Sequence, residues 1–120
     1  MANGFEQKSF KAQDFLIKEG APSDAAYLVT EGKVEVRKGA VSSNPQTLAV
    51  LGKGAVIGEM SLFDDQLPVA SAIAIEDTTT TAISREEFQR RLSSMDPVMR
   101  GIFKIMVNRV RELTQKKGTF

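Results

Sequence analysis

The 120-residue chain contains no histidine and no cysteine, and each absence removes chemistry. Imidazole supplies the common zinc, copper and non-haem iron sites, the serine and cysteine triads and most acid-base work near neutral pH. Most enzyme classes therefore lose their usual means. Without cysteine there are no disulfides, no thiol nucleophile and no thiolate metal site, which fits a reducing compartment and gives a cytoplasmic location as the expectation. A charge bias is also lacking: sixteen basic and fifteen acidic residues leave a formal net charge of +1, too little for an overall field that would draw nucleic acid or anionic lipid. Met1 to Phe10 has no apolar run long enough for a signal peptide, and nothing approaches the roughly 20 apolar residues of a membrane span. Glu59 near Asp64 and Asp65 could in principle perform acid-base work, yet no nucleophile or metal set accompanies them. The expectation is a protein that is not an enzyme and carries no metal or cofactor.

What is present suffices for one folded unit over residues 1–120, since 42% hydrophobic residues can build a core at this length. From Ser9 to Ile83 short apolar or alternating runs are separated by turn residues, the pattern of an all-β sandwich or barrel. Phe15-Leu16-Ile17 precedes Glu19-Gly20, and Ala26 to Val29 precedes Glu31-Gly32, each glycine suiting a turn of positive φ. Lys33 to Arg37 alternates polar with apolar, which turns Val34 and Val36 inward. Gly39 to Gln46 reads as an exposed hairpin loop before the strand Thr47 to Leu51, and two further strands are expected over Val69 to Ala74 and Thr78 to Ile83. Ser84-Arg85-Glu86-Glu87 is a capping box, predicting a helix to about Ser93 in which Glu87 reaches back to Ser84. Asp96-Pro97 starts a second helix that ends near Gly118. Strands first and helices last make an α+β arrangement. On the second helix Met99, Ile102, Phe103, Met106, Val110 and Leu113 share one side, expected to cover the barrel, with Val98, Ile105 and Val107 as surplus apolar surface for a contact.

The ordered set Ile17-Lys18-Glu19-Gly20, then Tyr27 to Val36, then Gly58-Glu59-Met60-Ser61-Leu62-Phe63 with Pro68 after it, resembles the cyclic nucleotide-binding domain family over about Phe10 to Leu113. The family includes bacterial catabolite activators, kinase regulatory subunits and nucleotide-gated channels. The resemblance implies a β jelly-roll barrel, a double-stranded β-helix, with C-terminal helices and the ligand inside. A cupin jelly roll shares the barrel but normally builds a histidine-rich metal site, which this chain cannot do. The family's phosphate-binding cassette is a short helix at Gly58 to Phe63 whose backbone N–H groups face a phosphate. By that resemblance Gly58, Glu59, Met60, Ser61, Val69, Ala70, Val36 and Arg109 are the ligand-site residues. Glu59 holds the position that accepts the ribose 2′-hydroxyl; as a residue it could equally cap the following turn. Gly58 serves a close approach to ligand or simply the turn.

The departure follows Pro68. Where the family has an arginine and then threonine or serine, this chain has Val69 and Ala70, and no lysine or arginine lies between Gly58 and Ala72. Removing one partner of a buried charge pair costs roughly 2 to 5 kcal/mol, which would turn a micromolar site into a sub-millimolar or millimolar one. Backbone amides near Met60 and Ala70 remain, and Arg109 would be a substitute cation. Val69 and Ile73 also read as strand core filling the barrel. From Pro97 on, six basic residues (Arg100, Lys104, Arg109, Arg111, Lys116, Lys117) face one acid, Glu112, which suits an acidic partner, a membrane surface or plain solvation near a helix C-terminus. The chain stops at Phe120 without a recognition helix, so nucleic acid is not an expected partner. Two functions follow: a regulatory or sensor module of the cyclic nucleotide-binding type with weak or atypical cAMP and cGMP binding, or a ligand-independent protein-docking module on the same fold. A protein partner or a homodimer through the C-terminal helix goes with either.

Overall fold

A computed structural model describes residues 4–63 and 67–117. The strands are β1 (Phe5–Phe10), β2 (Phe15–Ile17), β3 (Ala25–Glu31), β4 (Val34–Lys38), β5 (Gln46–Leu51), β6 (Val56–Ile57), β7 (Ser71–Ala74) and β8 (Thr78–Ser84). A 3-10 helix over Glu59–Leu62 separates β6 from β7, and α1 (Arg85–Ser93) and α2 (Pro97–Lys117) close the chain. Two four-stranded antiparallel sheets, ordered β1-β8-β3-β6 and β2-β7-β4-β5, face each other as the α+β jelly roll expected. Side-chain alternation aims one face of each sheet inward: Val34 pairs with Ala74, and Val36 with Ala72, while Glu35 between them looks out. The core draws Phe10, Tyr27, Val29, Ile57 and Ala82 from one sheet and Leu16, Ile17, Val34, Ala72 and Ala74 from the other. Phe10 and Tyr27 meet edge to face with centroids 5.4 Å apart, a geometry favoured by the ring quadrupoles. Burial raises the Tyr27 hydroxyl above its ordinary pKa, helped by the charge of Asp24.

The threonine-rich β8 alternates as a strand should, with Thr78 and Thr80 buried. Both buried hydroxyls are satisfied: Thr80 Oγ1 donates to the Lys8 carbonyl at 2.9 Å and Thr78 Oγ1 to that of Glu76 at 2.9 Å. At the start of α1, Ser84 Oγ accepts from the Glu87 N–H at 3.1 Å. The Glu87 carboxylate turns forward, however, to Arg90 and Arg91, and those bonds, Arg90 first, hold its carboxyl below the usual range. Only half of the expected capping box forms. Asp96 Oδ1 caps α2 through the N–H groups of Val98 (2.9 Å) and Met99 (3.2 Å), with Pro97 in the first position. No helix among the described residues is long and apolar enough to cross a membrane.

Three expectations need correcting. The stripe on α2 does not cover the barrel: Met99, Ile102, Met106, Val110 and Leu113 are exposed, and only Phe103 and Val107 are half-buried. The interior is filled by the two sheets' own residues, and periodicity reports that a helix has an apolar face without saying what covers it. Val69 is no core residue, since β7 begins at Ser71 and Val69 is 50% exposed. Ile73 is buried, but it pairs with Phe15 and Glu35 on the face opposite Ala72 and Ala74, so it packs outside the interior. One strand is additional: β1 pairs with β8 from Phe5↔Ile83 to Phe10↔Thr78.

Candidate ligand-binding site

Gly58 opens the site. Its φ of +79° is costly for any residue with a Cβ, and a Cβ there would lie 2.8 Å from Ile17 Cδ1 and 3.4 Å from the Ala25 carbonyl oxygen. The close approach that demands glycine is thus to this chain's own β2 and β3. The reversal starts the 3-10 helix, in which the Ser61 N–H reaches the Gly58 carbonyl at 3.1 Å and the Phe63 N–H that of Met60 at 3.1 Å. The Glu59 and Met60 amides precede that first internal bond and have no protein acceptor among the described residues. Glu59 is exposed, and its carboxylate makes no hydrogen bond among the described residues, so it does not cap the turn. Ser61 and Leu62 are buried and Met60 is half-buried.

The far end of this helix is held by α1. Arg85 Nε donates to the Ser61 carbonyl at 2.7 Å and its Nη2 to that of Ser23 at 3.2 Å, while Gln89 Nε2 donates to the Leu62 carbonyl at 2.8 Å. Sequence reasoning missed both residues. Their spacing of four puts them on one face of α1, the only signal available, and it does not reveal a target. Phe63 then stacks among Phe88 (5.0 Å) and Phe103 (5.6 Å), with Phe88 and Phe103 6.4 Å apart. This aromatic group joins the cassette to both helices.

The segment after Pro68 is fastened by the first glutamate-glycine turn. The Gly20 N–H donates to the Pro68 carbonyl at 2.9 Å, and the Glu19 N–H donates to Ser71 Oγ at 2.9 Å, while Glu19 Oε1 accepts from the Gly39 N–H at 2.8 Å. Val69 is exposed between these two clamps and Ala70 is buried. Val36 is buried beside Ala72 on the inward face of β4. The neighbouring Arg37 is bonded to Glu35, which also accepts from Thr47; these bonds, Arg37 first, lower the Glu35 carboxyl. Arg109 lies exposed on α2, six residues past Phe103, and its side chain shows no ion pair among the described residues. Gly58, Glu59, Met60 and Ser61 therefore form one unit, which packs on β3 and α1, whereas Val36 lies on β4 and Ala70 just before β7 in the other sheet, and Arg109 stands apart on α2. Asp64 and Asp65 lie outside the described residues. No group of three residues capable of holding a metal ion occurs among the described residues. Free amides, an unbonded carboxylate and a buried hydroxyl on one short helix can hold a small polar ligand through hydrogen bonds.

A family profile described as "Cyclic nucleotide-binding domain" matches residues 7–95. The cyclic AMP receptor protein of Thermus thermophilus is 32% identical over 108 residues, covering 90% of this chain and 50% of the relative. The cAMP-dependent protein kinase regulatory subunit of Aspergillus fumigatus is 31% identical over 100 residues, covering 83% and 24%. A solved cyclic nucleotide-binding domain from Methylobacillus flagellatus superposes with a TM-score of 0.71 at 29% identity, covering 94% of this chain and 66% of that one. The chain spans half or less of the length of these two curated relatives.

Proposed function

The chain belongs to the cyclic nucleotide-binding domain family, and from that premise we propose that it is a regulatory or sensor module, non-catalytic and acting as one domain, with a weakened hold on cAMP and cGMP. The relatives are named for cAMP, which makes cyclic nucleotides the first ligands to try. The binding residues are Gly58, Glu59, Met60 and Ser61, with Val36, Val69 and Ala70 on the adjoining wall. The observation that carries the reading is Val69: the clamps on Pro68 and Ser71 fix this segment against the Glu19–Gly20 turn, yet the side chain at the position the family gives to the phosphate arginine is aliphatic and exposed. Without that charge-assisted pair, about 2 to 5 kcal/mol of affinity is lost. Calorimetry of the full chain should therefore find cAMP and cGMP binding no tighter than about 100 μM. Saturable low-micromolar binding would overturn the reading.

The signal leaves through the helices. A ligand that shifts Glu59–Leu62 displaces Phe63, and Phe63 leans on Phe88 of α1 and Phe103 of α2. The exposed stripe of α2 favours a second copy of this chain as the partner that receives the shift. Met99, Phe103, Met106, Val110 and Leu113 follow one another at alternating steps of four and three, the repeat of a two-stranded coiled coil. Twenty-one helical residues give a seam of about 31 Å. Arg100 and Arg109 flank that seam and would repel their like-charged counterparts in such a pair, so salt should tighten it. Sedimentation of the full chain should show a concentration-dependent dimer that strengthens from low to high salt. A monomer throughout, or a dimer that salt dissolves, would turn the assignment toward an acidic protein partner.

A further inference from the structure

Cysteine, tryptophan and histidine are absent, and the single tyrosine, Tyr27, is buried in the core. An oxidant such as hydrogen peroxide is therefore left with the methionine thioethers as its reactive targets. Of the five methionines, Met1 lies outside the described residues and Met60 is half-buried on the 3-10 helix. The others gather at α2: Met95 in the turn before it is 39% exposed, and Met99 and Met106 on its stripe are 57% and 60% exposed. Open access makes Met99 and Met106 the first sulfurs that peroxide meets. Their spacing gives them a shared consequence. Seven residues apart, about 10 Å along the axis, they hold the same position of the seven-residue repeat, which Leu113 also occupies. In a parallel pair of helices each such residue faces its own counterpart, and the remaining seam positions, Phe103 and Val110, are apolar.

We propose that Met99 and Met106 are reversible oxidation sites that control the pairing of two copies of this chain through α2. This rests on a second copy being the partner of that face. In the step, a thioether sulfur takes one oxygen from hydrogen peroxide: the O–O bond breaks, an S–O bond forms, the sulfur gives up two electrons and the peroxide leaves as water. The product is a sulfoxide, a polar acceptor that finds no hydrogen-bond donor in an apolar seam, and both chains bring theirs to the same seam. The pair separates. A methionine sulfoxide reductase reverses the step, its dithiol becoming a disulfide while the oxygen departs as water. Oxidation runs through the monomer, where both sulfurs are open to solvent, so pairing protects the residues whose oxidation undoes it.

The test is sedimentation of the full chain before and after hydrogen peroxide, with the oxidised residues identified by peptide mass spectrometry, beside the double variant Met99→Leu with Met106→Leu. Met99 and Met106 should each gain one oxygen before Met60 does. The oxidised parent should dimerise about tenfold more weakly or worse, and methionine sulfoxide reductase should restore it. The leucine variant should dimerise untreated and keep its dimer in peroxide, because leucine suits the same repeat position and carries no sulfur. Raising the protein concentration until the parent dimerises should slow oxidation at Met99 and Met106 and leave the rate at Met95 unchanged. A dimer of undiminished strength with both sulfurs oxidised, or equal weakening of the leucine variant, overturns the inference and leaves the dimer standing. A parent that is monomeric before any peroxide removes the dimer reading itself, and this inference with it.

Discussion

Replacing Val69 by arginine and Ala70 by threonine should raise the affinity for cAMP at least tenfold, about 1.4 kcal/mol or more. The backbone that would present the arginine is already fixed by the Gly20 bond to the Pro68 carbonyl and the Glu19 bond to Ser71 Oγ. Val69 is exposed, so the longer side chain displaces nothing in the core and is free to reach a phosphate at the 3-10 helix. Ala70 is a different case. It is buried, and the extra atoms of threonine will cost roughly 1 to 3 kcal/mol of stability unless the site relaxes. Val69→Arg alone is therefore the cleaner arm, and the double variant adds the supporting hydroxyl. Asp64 and Asp65 are acidic and close in sequence, so neutralising both in the rescued protein removes a competing partner for the new guanidinium. Adding Glu59→Gln should then lower the affinity again, because an amide oxygen accepts the ribose hydroxyl less strongly than a carboxylate does. If the neutralised variant folds yet binds cAMP no better than the parent, the pocket differs from the family's by more than these two residues. The ligand-independent docking module, served by the exposed face of α2, then becomes the leading account.

The strands most legible in the sequence were those whose alternation reflects two environments, and β4 is the example: Val34 and Val36 are buried because period-two patterning records an inside and an outside. The caps at Ser84 and Asp96 were legible because the groups they satisfy lie two or three residues away. β1 escaped because its interior residues, Glu6 to Ser9, are exposed, and its single buried side chain, Phe10, carries no pattern. Contacts between elements were not legible at all. The fastening of Ser61 and Leu62 by Arg85 and Gln89 joins residues 24 and 27 positions apart, and nothing local in either segment encodes the pairing. The α2 stripe was read correctly as apolar and wrongly as covering the barrel, for the same reason. At the cassette, the residues of the 3-10 helix were found by resemblance, whereas the role of Gly58 against Ile17 and the burial of Ser61 needed coordinates.

Gly20 and Gly32 look alike in sequence, each ending a glutamate-glycine pair, but alanine should be far more damaging at Gly32. Both have positive φ, +77° and +104°, so both variants carry backbone strain of about 1 kcal/mol or somewhat more. At Gly20 that is the whole effect, because no atom lies within 4 Å of the added Cβ. At Gly32 the Cβ would sit 2.4 Å from Thr78 Oγ1, 2.6 Å from the Asp77 carbonyl oxygen and 2.7 Å from Thr78 Cα. Two of those atoms are backbone, and no rotamer change can move them. Thr78 is itself buried and bonded to the carbonyls of Lys33 and Glu76, so it cannot turn aside without breaking the hydrogen bonds that tie the β3–β4 turn to the start of β8. The two strand connections must separate, opening the end of the sheet where Val34 packs on Ala74. Overpacking of this kind adds roughly 1 to 3 kcal/mol to the strain, for a total of about 2 to 4 kcal/mol, a large share of the stability of a small domain. Urea unfolding of Gly32→Ala and Gly20→Ala side by side provides the measurement. Gly32→Ala should lose most of its folded baseline, and Gly20→Ala should shift its midpoint modestly. Equal midpoints would show that the Gly32 turn and the start of β8 are not packed as described.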